Sequence, residues 1–287
     1  VGALRALVPE AGVDERFGQL VAGLDLDVDP GAASAVVAVA LAAAASERRS
    51  VVLVDVDEVN PGVARRLGLA LHPHLLDALD AVHAGPGTDA ADPLGDALAR
   101  PALGPAGRLG FDVITGLANR DDWALARGGD VAALLDALRA RWGVVVVNLG
   151  PHLEDLTRWV DRFGASRAAL GVADAVVGVC EASPRGVLRF LDWLAEASAL
   201  VPSRPVHVVV NRVPRSAFRA AEVLERLRAD AGGRLASVDL VPEDPAVRRA
   251  EWAGEVVGGR RFRRAVAVVE TRLFSPAPAT AAAGGTP

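Results

Sequence analysis

Short aliphatic runs that alternate with helix-like segments constrain the fold of this chain more than any other sequence feature. The runs are rich in valine and leucine, as in VVLVDVD at 51–57 and VVVVN at 144–148. Strands of a parallel sheet have this pattern because helices cover both of their faces. Alternation of strand and helix signals is typical of βαβ units. Strands are predicted over 19–28, 51–57, 109–115, 144–148, 175–180, 206–211 and 235–241.

The predicted fold is therefore of the α/β class, with a doubly wound, mainly parallel sheet of about seven strands. Strand and helix signals continue without a linker-like break, which predicts a single domain over 16–274 after an N-terminal segment over 1–15. A long helical stretch is predicted over 153–171. The last residues, 275–287, are small and proline-rich, and we predict a disordered tail there.

Composition excludes several classes of protein. The net charge of −5 argues against general affinity for nucleic acid. A single cysteine, Cys180, excludes an internal disulfide and a cysteine-clustered zinc site. No apolar run reaches about 18 residues, and charged residues interrupt the start of the sequence, so neither a membrane span nor a secretory signal is predicted. A cytoplasmic location is therefore expected.

The residues directly after the predicted strands form a recognisable set. Ligands of open parallel sheets bind at the carboxyl ends of the strands. At these positions the chain has DPGAAS (29–34), DVDEVNP (55–61), NLGP (148–151), NRVP (211–214) and VPEDP (241–245). In order and spacing the set resembles the MinD/ParA family of deviant Walker A ATPases. It particularly resembles the CpaE/TadZ-like branch, which is associated with pilus and secretion machinery.

The resemblance implies a P-loop NTPase fold and a nucleotide site for ATP and Mg²⁺ at this edge of the sheet. Asp55 and Asp57 match the family's Asp-x-Asp element, whose carboxylates orient water and metal. Asn148 stands where the family's Walker B strand ends in Asp. The residues that match the phosphate loop and the base pocket are Gly31, Ala32, Ala33, Ser34, Asn211, Arg212 and Asp244. As structural alternatives, the two aspartates only cap loops and helices, and Asn211 only forms a turn.

Departures from the family motif fall on the residues that handle charge. The motif is approximately KGGxGK[ST]T, and DVDPGAAS occupies its place over 27–34. Asp27 replaces the signature lysine, Ala32 the Walker lysine and Ala33 the magnesium-binding hydroxyl. Unit charges about 4 Å apart interact by about 4 kcal/mol at an effective dielectric of about 20, so Asp27 and Asp29 would repel a triphosphate. The chain contains no lysine, but a GC-rich coding bias would exchange lysine for arginine, not for Asp or Ala.

Asn148 is a second departure, since an amide cannot supply the carboxylate that supports a magnesium shell. We therefore predict a pseudo-ATPase with weakened binding of ATP and Mg²⁺. It is expected to act as a positioning or assembly scaffold, through protein partners, for a pilus, secretion or cell-division apparatus. A homodimer would have to form without nucleotide. The alternative is an active ParA-type ATPase in which arginines elsewhere replace the lysines; a dinucleotide enzyme is disfavoured because the G-x-G-x-x-G loop is lacking.

Three histidines, His72, His74 and His83, lie close together in the sequence. A metal site is conceivable there. However, no cysteine lies nearby and Pro73 separates two of the histidines, so solvated surface histidines are predicted and no metal site.

A basic run, Arg260–Arg264, opens a helix near the end of the sequence. Its apolar residues share one face, and they are Phe262, Val266, Val269 and Leu273. This pattern predicts a helix that packs on the core. The alternative is a basic amphipathic anchor on a membrane surface or an anionic partner.

Overall fold

A parallel sheet of seven strands is the framework of the computed structural model of the chain. The structure describes residues 18–23, 32–84, 92–98, 109–155, 161–256 and 259–274. The strands are β1 (Gly18–Gly23), β2 (Val51–Asp55), β3 (Asp112–Ile114), β4 (Val144–Leu149), β5 (Ala175–Glu181), β6 (Val206–Val213) and β7 (Leu235–Pro242). They lie in the order β3-β2-β4-β1-β5-β6-β7, and every neighbouring pair is parallel. The predicted α/β class and doubly wound sheet are confirmed.

Helices cover both faces of the sheet. They are α1 (Ala32–Ser46), α2 (Val63–Leu67), α3 (Leu75–Ala84), α4 (Pro93–Asp96), α5 (Gly128–Arg139), α6 (Gly164–Val172), α7 (Pro184–Leu200), α8 (Ala217–Ala231), α9 (Pro245–Ala253) and α10 (Arg260–Phe274). One hydrophobic core lies between the sheet and α3 to α8. A second lies between the opposite face and α1, α2, α9 and α10. In the described ranges, no helix has both the length and the apolar character needed to cross a bilayer.

Strand β4 shows why the sequence forms a sheet covered on both faces. Val145 and Val147 point into the first core, and Val144 and Val146 point into the second. All four are at most 1% exposed. Complete burial of a valine side chain stabilises by about 1.5–3 kcal/mol, so this aliphatic strand is stable only with helices on both sides.

Helix α1 is apolar on every side and is buried over most of its length. Its residues from Ser34 to Ala42 are at most 7% exposed. Helix α10 packs against it through Phe262, Val266 and Val269, so the predicted core-packing role of α10 is confirmed. The buried Glu270 of α10 connects this helix to the turn that follows α1, because Arg48 and Arg49 each donate to its carboxylate at 2.7 Å.

The structure differs from two predicted elements. The helix predicted over 153–171 was wrong at its start, because residues 151–155 are not helical and α6 begins only at Gly164. The carboxylate of Glu58 accepts the Ala165 and Ser166 N–H groups, so a distant side chain fixes this start. Strand β3 is confined to Asp112–Ile114, the residues that pair with β2.

Candidate functional site

The carboxyl ends of β2 and β4 bring Asp55 and Asn148 together at the edge of the sheet. The two residues are register partners, and both are fully buried. Asn148 Nδ2 donates to Asp55 Oδ1 at 2.8 Å, and the Val63 N–H at the start of α2 donates to Asp55 Oδ2 at 2.9 Å. Burial, aided by the charge of Asp57, raises the pKa of Asp55 to about 7 against these hydrogen bonds. Asp55 is therefore held by protein donors in a setting that disfavours its charge.

Asp57 lies just beyond β2 and is also buried. Its Oδ1 accepts the Val59 N–H at 2.9 Å and the Asn60 N–H at 3.0 Å. Burial raises the pKa of Asp57, although these backbone hydrogen bonds oppose the rise. Among the described residues, neither Asp57 Oδ2 nor Asn148 Oδ1 has a hydrogen-bond partner. A buried oxygen without a donor costs about 1–3 kcal/mol, so these two atoms are the part of the site open to a proton, a water or a cation.

Gly150 allows the loop after β4 to pass directly against Asp57. A Cβ atom at this position would lie 2.7 Å from Asp57 Oδ1, which is closer than real Cβ contacts. The glycine of the NLGP segment is therefore required by a close approach between two chain segments. It helps to position the buried carboxylate.

Glu58 is a buried carboxylate that the sequence reasoning did not single out. It is 1% exposed, and it accepts the Ser166 Oγ–H at 2.8 Å in addition to the N–H groups at the start of α6. Burial raises its pKa to about 7. The Arg162 guanidinium donates to the Glu58 carbonyl oxygen at 3.1 Å and lies over the ring of Trp123. We refer to Asp55, Asp57, Glu58 and Asn148 together as the acid cluster.

The acid cluster offers only a partial shell for Mg²⁺. This ion takes oxygen ligands in an octahedral arrangement, usually from one or two carboxylates together with phosphates and waters. Both oxygens of Asp55 and both oxygens of Glu58 already accept N–H or O–H groups. One carboxylate oxygen, on Asp57, and one amide oxygen, on Asn148, remain. The described residues therefore fit a magnesium ion poorly.

The predicted phosphate loop lies mostly outside the described residues. Asp27, Asp29 and Gly31 are among the residues outside the described ranges. Ala32 and Ala33 are the first two residues of α1, and Ser34 is fully buried in the same helix.

The carboxyl ends of β6 and β7 bring the predicted base-pocket residues to one cavity. Asn211, Arg212 and Asp244 line a cavity of about 140 Å³. Asn211 Oδ1 accepts the Arg212 N–H at 2.8 Å, and Arg212 has a φ of 55° where the β6–β7 register shifts. Asp244 caps α9 by accepting the Ala246 N–H at 2.9 Å. The volume is below the roughly 300–1,000 Å³ of small-molecule sites, so this cavity alone is small for a nucleoside.

A larger cavity of about 410 Å³ adjoins it and contains three arginines, Arg65, Arg66 and Arg212. Arg65 and Arg212 are exposed, whereas Arg66 is buried. Arg66 Nη1 donates to the carbonyl oxygen of Glu255 at 2.8 Å, while its Nε and Nη2 have no hydrogen-bond partner among the described residues. Trp252, on the rim, is 90% exposed. We call this the arginine cavity; sequence reasoning did not identify it.

The three histidines are not all solvated, and the prediction is wrong for His74. His83 is exposed and its Nε2 lies 3.0 Å from Asp130 Oδ1. His72 is exposed as well, but His74, which directly precedes α3, is only 7% exposed. The His72 and His74 rings are 4.5 Å apart between centroids.

Comparison with known proteins identifies the fold. No protein-family model and no curated protein sequence matches the chain. Solved structures do match. A ParA family ATPase from Chlorobium tepidum TLS is 15% identical, with a TM-score of 0.67 over 89% of this chain and 99% of its own. The septum site-determining protein MinD with Mg-ADP, from Pyrococcus horikoshii OT3, is 12% identical, with a TM-score of 0.67 over 91% and 97%.

A third similar structure is the MinC:MinD cell division protein complex of Aquifex aeolicus. It is 13% identical, with a TM-score of 0.64 over 91% of this chain and 97% of the matched chain. The chain has the MinD/ParA fold. At these identities the likeness establishes the fold alone.

Within the MinD/ParA fold of this chain, the residues predicted for one site fall into two groups. The acid cluster lies at the carboxyl ends of β2 and β4, whereas Asn211, Arg212 and Asp244 lie at those of β6 and β7. Strands β1 and β5 separate the two groups in the sheet. Most of the predicted phosphate loop lies between β1 and α1 in the sequence, outside the described residues.

Proposed function

We propose that this chain is a non-catalytic protein of the MinD/ParA fold that acts as a positioning or assembly scaffold. The observation that carries the proposal is the hydrogen bond from Asn148 to Asp55. An amide N–H stands beside the carboxylate and satisfies it without a metal. A second carboxylate at this position would instead favour a cation, because two neighbouring buried negative charges repel strongly.

The sequence of the phosphate loop supports the same proposal. Asp27 and Asp29 bring negative charge to a segment that would have to approach a triphosphate, and Ala32 brings no charge. The two departures are independent, since one falls on residues 27–32 of the sequence and the other on β4. Together they act against both the phosphates and the metal.

A scaffold acts through contacts with other proteins, and we propose such partners here. The matched Aquifex structure is of a MinC:MinD complex, which supports partner binding as a role for this fold. The sequence resemblance to CpaE/TadZ-like proteins further supports a pilus, secretion or division apparatus in the cytoplasm as the place of action. A homodimer that needs no nucleotide is part of the proposal. Contact with a membrane surface through Arg260–Arg264, which α10 leaves exposed at positions 260, 261, 263 and 264, is a further part.

Calorimetric titration of the full chain with Mg-ATP tests the proposal. We expect no binding tighter than the millimolar range and no ATP hydrolysis above the buffer rate. Micromolar binding that is lost in a Gly31→Val variant, with hydrolysis that is lost in Asp57→Asn, would contradict it. Cross-linking followed by mass spectrometry in the native host tests the partner class; we expect components of a surface or division apparatus, captured equally with and without added ATP.

An active ATPase with a rearranged loop is the second candidate. It is favoured by the uncommitted oxygens of Asp57 and Asn148 and by the arginine cavity beside α1. Arginine would then take over phosphate binding from lysine. In that case Arg212→Ala and Arg65→Ala should each weaken Mg-ATP binding. If the chain binds no nucleotide, the native chain and both variants should give the same blank titration.

A further inference from the structure

A group of nitrogen and oxygen side chains lies on the β3 edge of the sheet, apart from the acid cluster. His72, His74 and Asp77 each offer one ligand atom, and these atoms all lie within 4.8 Å of one another. The residues come from the loop before α3 and from its first turn. The prediction of solvated surface histidines does not take Asp77 into account.

Two acceptor atoms of this group lie close together when His74 is neutral. His74 Nδ1 accepts the Leu76 N–H at 3.2 Å, so this ring nitrogen carries a lone pair. Asp77 Oδ2 accepts the His74 N–H at 2.7 Å, and it lies 3.5 Å from His74 Nδ1. Helix capping accounts for each hydrogen bond, but it leaves two acceptor atoms side by side. A cation between them would remove this unfavourable contact.

The separation of the two atoms suits a tetrahedral metal ion. Zinc binds nitrogen and oxygen ligands at about 2.0–2.2 Å, and tetrahedral geometry then places neighbouring ligands roughly 3.4 Å apart. The ring of His72 is exposed and stands 4.5 Å from that of His74, so a rotation of its side chain can supply the third ligand.

Two carboxylates lie near enough to act on His74 electrostatically, those of Asp77 and Asp122. Their negative charges attract a cation. The loop is also held in place, because the buried Thr115 donates its hydroxyl to the Pro73 carbonyl oxygen at 2.9 Å.

We propose that His72, His74 and Asp77 form a binding site for a divalent metal ion of intermediate softness such as Zn²⁺. Two imidazoles and one carboxylate are a ligand set of zinc sites that keep a fourth position for water. This donor set differs from the oxygen-only acid cluster, which suits hard ions. Binding exchanges the Leu76 hydrogen bond for a metal bond at His74 Nδ1. The proposal does not depend on whether the chain binds ATP.

Titration of the full chain with ZnCl₂ at pH 7.5, followed by calorimetry, tests the site. We expect one ion per chain. His72→Ala removes a direct ligand, so it should weaken binding by at least the roughly 10–100-fold that loss of an outer-shell partner costs. Asp77→Asn should weaken it similarly, although an amide oxygen at this position can still accept the His74 N–H and preserve the helix cap. His83→Ala is the matched control, because His83 lies on the same helix but pairs with Asp130.

Co²⁺ provides a second readout, because a tetrahedral site gives intense visible absorption bands that a water-coordinated ion lacks. We expect these bands in the native chain and in His83→Ala, and their loss in His72→Ala and Asp77→Asn. Circular dichroism confirms that each variant is folded. The proposal would be overturned if His72→Ala bound zinc as tightly as the native chain. It would also be overturned if His83→Ala weakened zinc binding as much as His72→Ala does.

Discussion

The acid cluster and the arginine cavity lie along the same edge of the sheet, but they treat charge in opposite ways. In the acid cluster the carboxyl groups are buried and accept hydrogen bonds from backbone amides and from Asn148. In the arginine cavity two guanidinium groups are exposed, and the buried Arg66 keeps N–H groups that have no hydrogen-bond partner among the described residues, although its Nε lies 3.9 Å from Glu251 Oε1. The first region is sensitive to pH near neutrality. The second keeps its charge, because arginine does not titrate in that range.

This contrast shows that the two regions have different roles in the stability of the fold. The acid cluster joins β2, β4 and α6 through side chains that would be costly to leave unpaired. In the arginine cavity, Arg65 and Trp252 are exposed to solvent, so they contribute little to packing. The cavity is an open space with three arginines in its lining. Variants that separate stability from surface chemistry therefore test the comparison.

The largest effect is expected from pH. Asp55 and Glu58 have native pKa values of about 7, raised from 3.8 and 4.5. A group with a raised native pKa stabilises the fold fully below its unfolded pKa, and this contribution is lost as the pH rises through the native value. For Asp55 alone, a shift of about three units corresponds to about 4 kcal/mol. Urea unfolding between pH 4 and 8 should show the free energy of unfolding fall; a constant value would contradict burial of these groups.

A second carboxylate at position 148 should cause the next largest effect. Asn148→Asp replaces the donor to Asp55 with a buried acid, and we expect a loss of about 3 kcal/mol at pH 8. The loss should be smaller at pH 5, where the two acids can share a proton. Asn119→Asp is the control, since it makes the same change at an exposed N-cap, where Asn and Asp are equivalent. Equal unfolding midpoints of the two variants would show that the hydrogen bond from Asn148 to Asp55 does not stabilise the fold.

Of the two neighbouring arginines Arg65 and Arg66 in the arginine cavity, only Arg66 should contribute to the free energy of unfolding. Arg66→Leu removes the donors to the carbonyl oxygens of Ala250 and Glu255, and we expect a loss of about 2 kcal/mol in unfolding free energy. Arg65→Leu, one residue earlier and exposed, should stay within about 0.5 kcal/mol of the native chain. If the two variants lose equal stability, Arg66 does not hold α2 to α9.

The smallest effect on stability is expected at Trp252. This side chain is 90% exposed, so Trp252→Ala should change the unfolding free energy by less than about 0.5 kcal/mol. A large exposed aromatic residue beside a charged cavity is typical of binding surfaces, and the same variant should reduce capture of the proposed partners. A large loss of stability would show instead that Trp252 belongs to the core.

The sequence was sufficient to predict the fold because its strands are simple aliphatic runs. Valine and leucine on both faces of β4 have no other stable arrangement than a covered sheet. The placement of Asp55 and Asn148 at the carboxyl edge of the sheet was also predicted, since parallel strands all end at the same edge. Their mutual hydrogen bond was not predicted, because it depends on register.

Contacts between distant segments could not be predicted. Glu58 and Ser166 are 108 positions apart, and no local pattern links them. Arg66 and Glu255 are 189 positions apart, and a buried arginine on α2 looks in the sequence like the exposed Arg65 beside it. His74 was misjudged for a related reason. Whether a histidine is solvated depends on the segments that pack around it, which the local sequence pattern does not show.

The contact between α1 and α10 has a consequence for synthesis of the chain. Arg48 and Glu270 are 222 positions apart, so a ribosome completes nearly the whole fold before the partner of α1 emerges. Until then one side of a helix made almost entirely of alanine, valine and leucine faces water. We expect the nascent chain to need shielding by a chaperone during that interval, and the late docking of α10 to set the moment at which the protein becomes resistant to proteases.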